Sequence, residues 1–182
     1  MFLRRKTAGL MLAAAAAIGL TTAAALPASA SAPNYFSIIV QVGTYAPVYC
    51  LQPADPAGGA GTAIVQEPCV IGNQAQHWAP VNIGGSSYEF LNQASGECLD
   101  ARGGAARGTP IQQWPCNTIS NEHWSWPHNF PDSLWPIGSQ VAGSSGFCLD
   151  VPGASQQAGI SMQLYTCNST AAQAWAIIGP VA

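Results

Sequence analysis

Six cysteines, three histidines and eight carboxylates are the side chains of this 182-residue chain with most chemistry to offer. The cysteines fall into three near-identical pairs, Cys50 and Cys69, Cys98 and Cys116, Cys148 and Cys167, at offsets of 19, 18 and 19. Cysteines serve as bridges, metal ligands or nucleophiles, and the compartment decides among these roles. The chain opens with Arg4-Arg5-Lys6, then an Ala/Leu-rich stretch from Thr7 to Leu26, then Pro27-Ala28-Ser29-Ala30. A basic region, an apolar stretch and small residues two apart describe a secretory signal peptide over residues 1–30, with cleavage expected after Ala30. In an exported chain the six cysteines read as disulfides. They allow fifteen pairings, among which sequence alone does not choose. If the three units fold alike, pairing within units is the simple solution that treats them the same way. Each such bridge closes a loop of about 20 residues, worth roughly 3 kcal/mol in the chain-entropy model.

The histidines and carboxylates assemble no catalytic or metal set. The run His123-Trp124-Ser125-Trp126-Pro127-His128 resembles a metal box, but no carboxylate or cysteine completes it. Exposed, unligated histidines and no metal or other cofactor are expected. His77 and His123 alternate with Trp78 and Trp124 and should point away from them along a strand. There is no Gly-x-Ser-x-Gly elbow, no His-Glu-x-x-His and no phosphate loop. Asp100 and Asp150 could be imagined as a glycosidase pair. In a threefold architecture they fall in different lobes, beyond the separation that chemistry needs. The chain is therefore not expected to be an enzyme. Cleavage of the signal peptide removes Arg4, Arg5 and Lys6, which takes the formal net charge from −3 to −6 and leaves no lysine. An acidic chain without a basic patch argues against nucleic acid and anionic membrane surfaces as partners, and no membrane insertion is expected after cleavage.

The elements that carry these residues are repeated. Beyond each second cysteine stand Gln76-His77-Trp78, Glu122-His123-Trp124 and Gln173-Ala174-Trp175, and the first cysteines recur at intervals of 48 and 50 residues. One supersecondary unit is present three times. Within the second unit, Tyr88–Leu91, Glu97–Asp100, Pro110–Trp114 and His123–Trp126 are short β-prone runs divided by Gly, Ser and Asn. No mature segment keeps a helical period. A β-propeller shares the repeat length, but three blades are too few to close one. Three such units close instead as a barrel capped by hairpins, an all-β β-trefoil. It is expected as a single domain over residues 31–182, with repeats at about 36–84, 85–134 and 135–182. Trp78, Trp124 and Trp175 hold equivalent places and are assigned to its core, because a buried Trp removes about 150–250 Å² from water.

Cys98-Leu99-Asp100, Ile111-Gln112-Gln113-Trp114-Pro115-Cys116 and Asn121-Glu122-His123-Trp124 resemble the ricin B-chain-type lectins. These are built as three Gln-x-Trp repeats on a β-trefoil. The resemblance spans roughly Phe36 to Ile178 and also implies disulfides within units. It further implies a sugar pocket in each unit. The parts are an Asp just after the Cys-Leu step, a Gln four residues before the second cysteine, an aromatic two before it and an Asn just before Gln-x-Trp. The second unit supplies all four as Asp100, Gln112, Trp114 and Asn121. The third offers Asp150, Gln163 and Tyr165, with Ala172 in place of the Asn. The first has Gln52, Val65, Glu67 and Ala75 at these places and is expected to be dead. The chemistry suits a sugar, whose C–H face stacks on an aromatic ring and whose hydroxyls need donors and acceptors. Glu122 departs from the signature Gln, and an ionised carboxylate can only accept.

These readings lead to a secreted, extracellular, non-catalytic lectin-like protein that recognises galactose- or xylose-type sugars, mainly through its second unit. Its expected partners are glycans or polysaccharide, on a cell surface or beside a separate secreted enzyme. The alternative is a trefoil that has lost sugar binding and acts by protein–protein contacts, as an inhibitor or adhesion factor.

Overall fold

The computed structural model describes residues 33–40, 48–126, 134–141 and 146–181. The expected signal peptide and His128 lie outside them. The first unit contributes β1 (Tyr35–Val40), β2 (Tyr49–Pro53), β3 (Ile64–Pro68) and β4 (His77–Gly84). The second contributes β5 (Ser87–Asn92), β6 (Cys98–Ala101), β7 (Ile111–Trp114) and β8 (Trp124–Ser125). The third contributes β9 (Gly138–Ser139), β10 (Phe147–Asp150), β11 (Ile160–Ser161), β12 (Gln163–Thr166) and β13 (Trp175–Val181). β11 and β12 are one run interrupted at Met162, whose N–H donates to the Ile64 carbonyl of the first unit at 2.8 Å. Each unit thus reduces to four strands. Among the described residues, no helix is long and apolar enough to cross a membrane.

Outer strands form the barrel, with β13 against β1, β1 against β4, β4 against β5, β5 against β8 and β8 against β9. A two-bond bridge between Trp135 and Trp175 joins the segment before β9 to β13. The inner hairpins β2–β3, β6–β7 and β10–β12 cap it. This is a β-trefoil of three pseudo-symmetric repeats, and the disulfides Cys50–Cys69, Cys98–Cys116 and Cys148–Cys167 tie one cap each.

The caps interlock by one device used three times. Gly61, Gly108 and Gly159 each donate a backbone N–H to the next unit's strand, to the carbonyls of Gln113, Leu164 and Gln66 at 2.9, 2.8 and 2.9 Å. All three have positive φ, at 91°, 80° and 75°. Only glycine adopts that backbone without steric cost, so the sequence spends its glycines where units meet.

The core forms where the barrel narrows under the caps. Trp78, Trp124 and Trp175 are fully buried there with Leu51, Leu99 and Leu149. Each indole N–H donates to the leucine carbonyl of its own unit, Trp78 to Leu51 at 3.0 Å, Trp124 to Leu99 at 2.9 Å and Trp175 to Leu149 at 2.9 Å. A buried indole thereby keeps its apolar area and satisfies its one donor. His77 corrects the expectation of exposed histidines. It is only 3% exposed, beside Ser37 of β1, with which it pairs. Its Nδ1 lies 2.7 Å from Gln93 Oε1. Alternation predicts which face a side chain takes, and here His77 and the neighbouring Trp78 are both buried. Trp124→Ala should cost about 3–5 kcal/mol of stability as a large-to-small core change. Urea denaturation measures this, and an unchanged midpoint would contradict the role of the ring.

Candidate functional site

The second unit's pocket residues are set by hairpin register. Asp100 on β6 sits directly opposite Gln112 on β7, and Trp114 lies opposite Cys98. Cross-strand neighbours face one way, so Gln112 Nε2 reaches Asp100 Oδ1 at 2.7 Å. The bond fixes one carboxylate oxygen and leaves the other to different donors. Both residues are buried, whereas Trp114 is 38% exposed and presents its ring to solvent. Asn121 lies half-buried in the 3₁₀ turn Ser120–Glu122 that leads into β8. Burial pushes the Asp100 carboxyl above its ordinary range, and the Gln112 bond pulls it back in part.

The third unit repeats this geometry. Asp150 on β10 is opposite Gln163 on β12, and Gln163 Nε2 donates to Asp150 Oδ1 at 2.7 Å. A cleft of about 360 Å³ opens here, with Asp150, Gln163, Tyr165, Asn168, Thr170 and Ala172 among the lining residues. Ala172 thus faces the cleft from the position that holds Asn121 in the second unit. Asn168 and Thr170 are polar lining residues absent from the sequence-derived set. Asn168 Oδ1 accepts from the Thr170 N–H and hydroxyl at 3.1 and 2.8 Å. The same turn recurs in the second unit, where Asn117 Oδ1 accepts from the Ile119 N–H at 3.1 Å. That parallel, an Asn directly after Cys116 and after Cys167, was the available sequence signal. In the first unit Gln52 accepts from Gln76 Nε2 at 2.9 Å, and Glu67 stands where a ring would stack.

Loops from neighbouring units flank the aromatic positions. A Cβ on Gly61 of the first unit would lie 4.0 Å from both Gln112 Oε1 and Trp114 Cζ3 of the second. Arg107, from the second unit, places its guanidinium 5.1 Å from the centroid of the Tyr165 ring and donates from Nε to Thr166 Oγ1 at 2.8 Å. A cation held over a ring face is attracted by the quadrupole. These contacts join residues distant in sequence.

Behind each pocket stands the signature residue. Gln76 Oε1 accepts from Val70 N at 2.8 Å, and Gln173 Oε1 from Asn168 N at 2.9 Å. Glu122 Oε2 accepts from Asn117 N at 2.9 Å in the same way. Glu89, Cys98 and Glu122 bring potential metal-ligand atoms within 4.8 Å of one another, but the Cys98 sulfur is bonded to Cys116, which leaves two carboxylates.

The chain belongs to the ricin-type β-trefoil lectin domain-like family, whose sequence profile matches residues 27–114 and 120–181. Its fold is one that points to carbohydrate binding. No curated protein matches it in sequence. Among solved structures it is similar to the designed threefold-symmetric protein ThreeFoil, at 20% identity and a TM-score of 0.70, over 80% of this chain and 99% of that one. A ricin B-like lectin from Macrolepiota procera, in complex with lactose, is 18% identical with a TM-score of 0.63, over 82% of this chain and 97% of that one. An exo-β-1,3-galactanase from Clostridium thermocellum is 21% identical with a TM-score of 0.69, over 85% of this chain but 31% of the enzyme. These likenesses show the fold.

The Gln112 bond has a measurable consequence. Because it favours ionised Asp100, Gln112→Ala should move the titration of Asp100 to higher pH. Carboxyl-carbon NMR follows this directly, and an unchanged or lowered midpoint would contradict the assignment.

Proposed function

We propose that the protein is a secreted, non-catalytic carbohydrate-binding protein that recognises galactose- or xylose-type sugars, mainly through its second unit. The observation that carries this reading is the Asp100–Gln112 pair, bonded at 2.7 Å, next to the solvent-facing ring of Trp114 on the same hairpin. The Asp100 oxygen that Gln112 does not hold has lone pairs to accept sugar hydroxyls, the Gln112 amide fixes that carboxylate, and Trp114 takes the C–H face of the ring. Asn121 donates and accepts at the pocket edge. Charge-assisted hydrogen bonds fix ring orientation, and stacking supplies apolar burial. The third unit acts as a weaker pocket through Asp150, Gln163 and Tyr165. Residues 1–30 serve as the export signal, consistent with the three disulfides, which form and persist in oxidising compartments.

One shallow pocket of this kind binds a monosaccharide at about millimolar strength, near −4 kcal/mol. Two pockets on one rigid scaffold gain avidity on a polysaccharide or a glycan-covered surface. Removing a hydrogen bond to a charged group costs about 1.5–3 kcal/mol. Asp100→Ala and Trp114→Ala should therefore abolish measurable monosaccharide binding while the fold is retained. Asp150→Ala and Tyr165→Ala should weaken binding mainly to multivalent ligands. Calorimetry and affinity chromatography on galactose- and xylose-bearing matrices rank the four variants. Wild-type binding by Asp100→Ala, with loss in Asp150→Ala, would move the function to the third unit. No binding of the wild type to any sugar on a glycan array would favour protein–protein contacts instead.

A further inference from the structure

The signature position differs among the units in what it gives to its pocket. Gln76 Nε2 donates to Gln52 Oε1 at 2.9 Å and to the Pro68 carbonyl at 3.0 Å. Gln173 Nε2 donates to Asp150 Oδ2 and to the Thr166 carbonyl, both at 3.0 Å. In both units, one amide N–H₂ braces the residue after Cys-Leu against the carbonyl before the second cysteine. The second unit has the same two acceptors, Asp100 and the Pro115 carbonyl, but a carboxyl group to meet them. Glu122 is fully buried, its Oε2 is used by the Asn117 N–H, and its Oε1 is buried with no hydrogen-bond partner. An ionised oxygen cannot donate to acceptors, whereas a carboxylic acid O–H can.

We propose that Glu122 is a positioning acid: it is carried protonated, and its O–H takes the amide's place in bracing Asp100, so that the second pocket is held in shape only while that proton stays. The surrounding groups agree. Glu122 packs against β5 and β6, and the charges acting on it are Glu89 from β5 and Asp100 from β6, both negative. Cys98 of β6 carries no charge in its disulfide. His123, next along the chain, faces Glu89, with Nε2 3.8 Å from Oε1. Desolvation first, and then these two carboxylates, hold the Glu122 carboxyl above its ordinary range against the backbone N–H groups of Asn117 and Thr118, which favour the ionised form.

The sign of the stability effect follows. A carboxyl whose pKa is raised by folding contributes stability that is full below its unfolded value, about 4.3, and is lost as pH rises through the folded value. Glu122→Gln restores the residue of the other two units and cannot titrate. Urea unfolding from acid to alkaline pH should give wild type and Glu122→Gln similar midpoints in acid. Above pH about 4.3 the wild type should fall behind, by up to about tenfold in unfolding constant per pH unit, and then level off. Glu122→Ala, which loses the brace at every pH, should be less stable than Glu122→Gln throughout. Parallel pH profiles for wild type and Glu122→Gln would overturn the proposal. A binding arm uses lactose and rests on the sugar reading of the second pocket. Wild-type affinity should fall at alkaline pH, and Glu122→Gln should keep it. Equal alkaline loss in both would overturn the coupling to the pocket. If neither binds lactose while the urea profiles diverge, the sugar reading fails for this probe and the buried proton stands.

Discussion

Three indole N–H groups, each given to a leucine carbonyl, hold this molecule in register. Trp78, Trp124 and Trp175 reach from the barrel to Leu51, Leu99 and Leu149 in the caps. Each leucine is followed at once by the residue that begins a pocket, Gln52, Asp100 or Asp150. The bond therefore sets the height of that residue relative to the core. Since successive side chains on a strand point to opposite faces, an inward leucine forces the next residue outward, toward the hairpin surface. Core packing and pocket placement are thus one constraint. The same arithmetic explains why a pocket can decay without the fold. Gln52 and Glu67 change the outward chemistry of the first unit, while Leu51 and Trp78 remain fully buried.

The pockets are nevertheless not private to their units. Gly61 brings the first unit's loop against Trp114 of the second, and Arg107 brings the second unit's loop over Tyr165 of the third. In each case the interlocking glycine or its neighbour supplies the contact, so the joints between units also form the walls of the pockets. Each pocket inherits chemistry from the unit before it. Three copies of one hairpin can in this way present three different surfaces: a ring flanked by backbone, a ring covered by a cation, and no ring.

Sequence carried the fold well because its determinants are local and repeated. Cysteine spacing, the Cys-Leu step and Gln-x-Trp lie within short stretches, and their threefold recurrence points to one unit used three times. In the second unit the expected strand runs match β5 to β8 to within about two residues at their ends. Pro110 lies just outside β7, in an isolated bridge to Gln163. What was not legible depends on contacts between distant segments. The Arg107–Tyr165 contact spans two units, and the burial of His77 comes with its Gln93 partner, 16 residues on, and the pairing of its strand with β1. Asn168 and Thr170 required the turn after the second cysteine to fold back on the cleft. Glu122 stood out in sequence as a departure from the signature. Its consequence needed the buried, partnerless Oε1.

The second pocket rests on one arrangement, an aromatic platform beside a carboxylate pinned by a cross-strand amide. A crystal structure of the mature protein soaked with galactose tests this most directly. The expected result is a sugar ring stacked on Trp114 with its hydroxyls on the Asp100 oxygen that Gln112 does not hold. A sugar seated only against Tyr165, or absent from both pockets at saturating concentration, would contradict it.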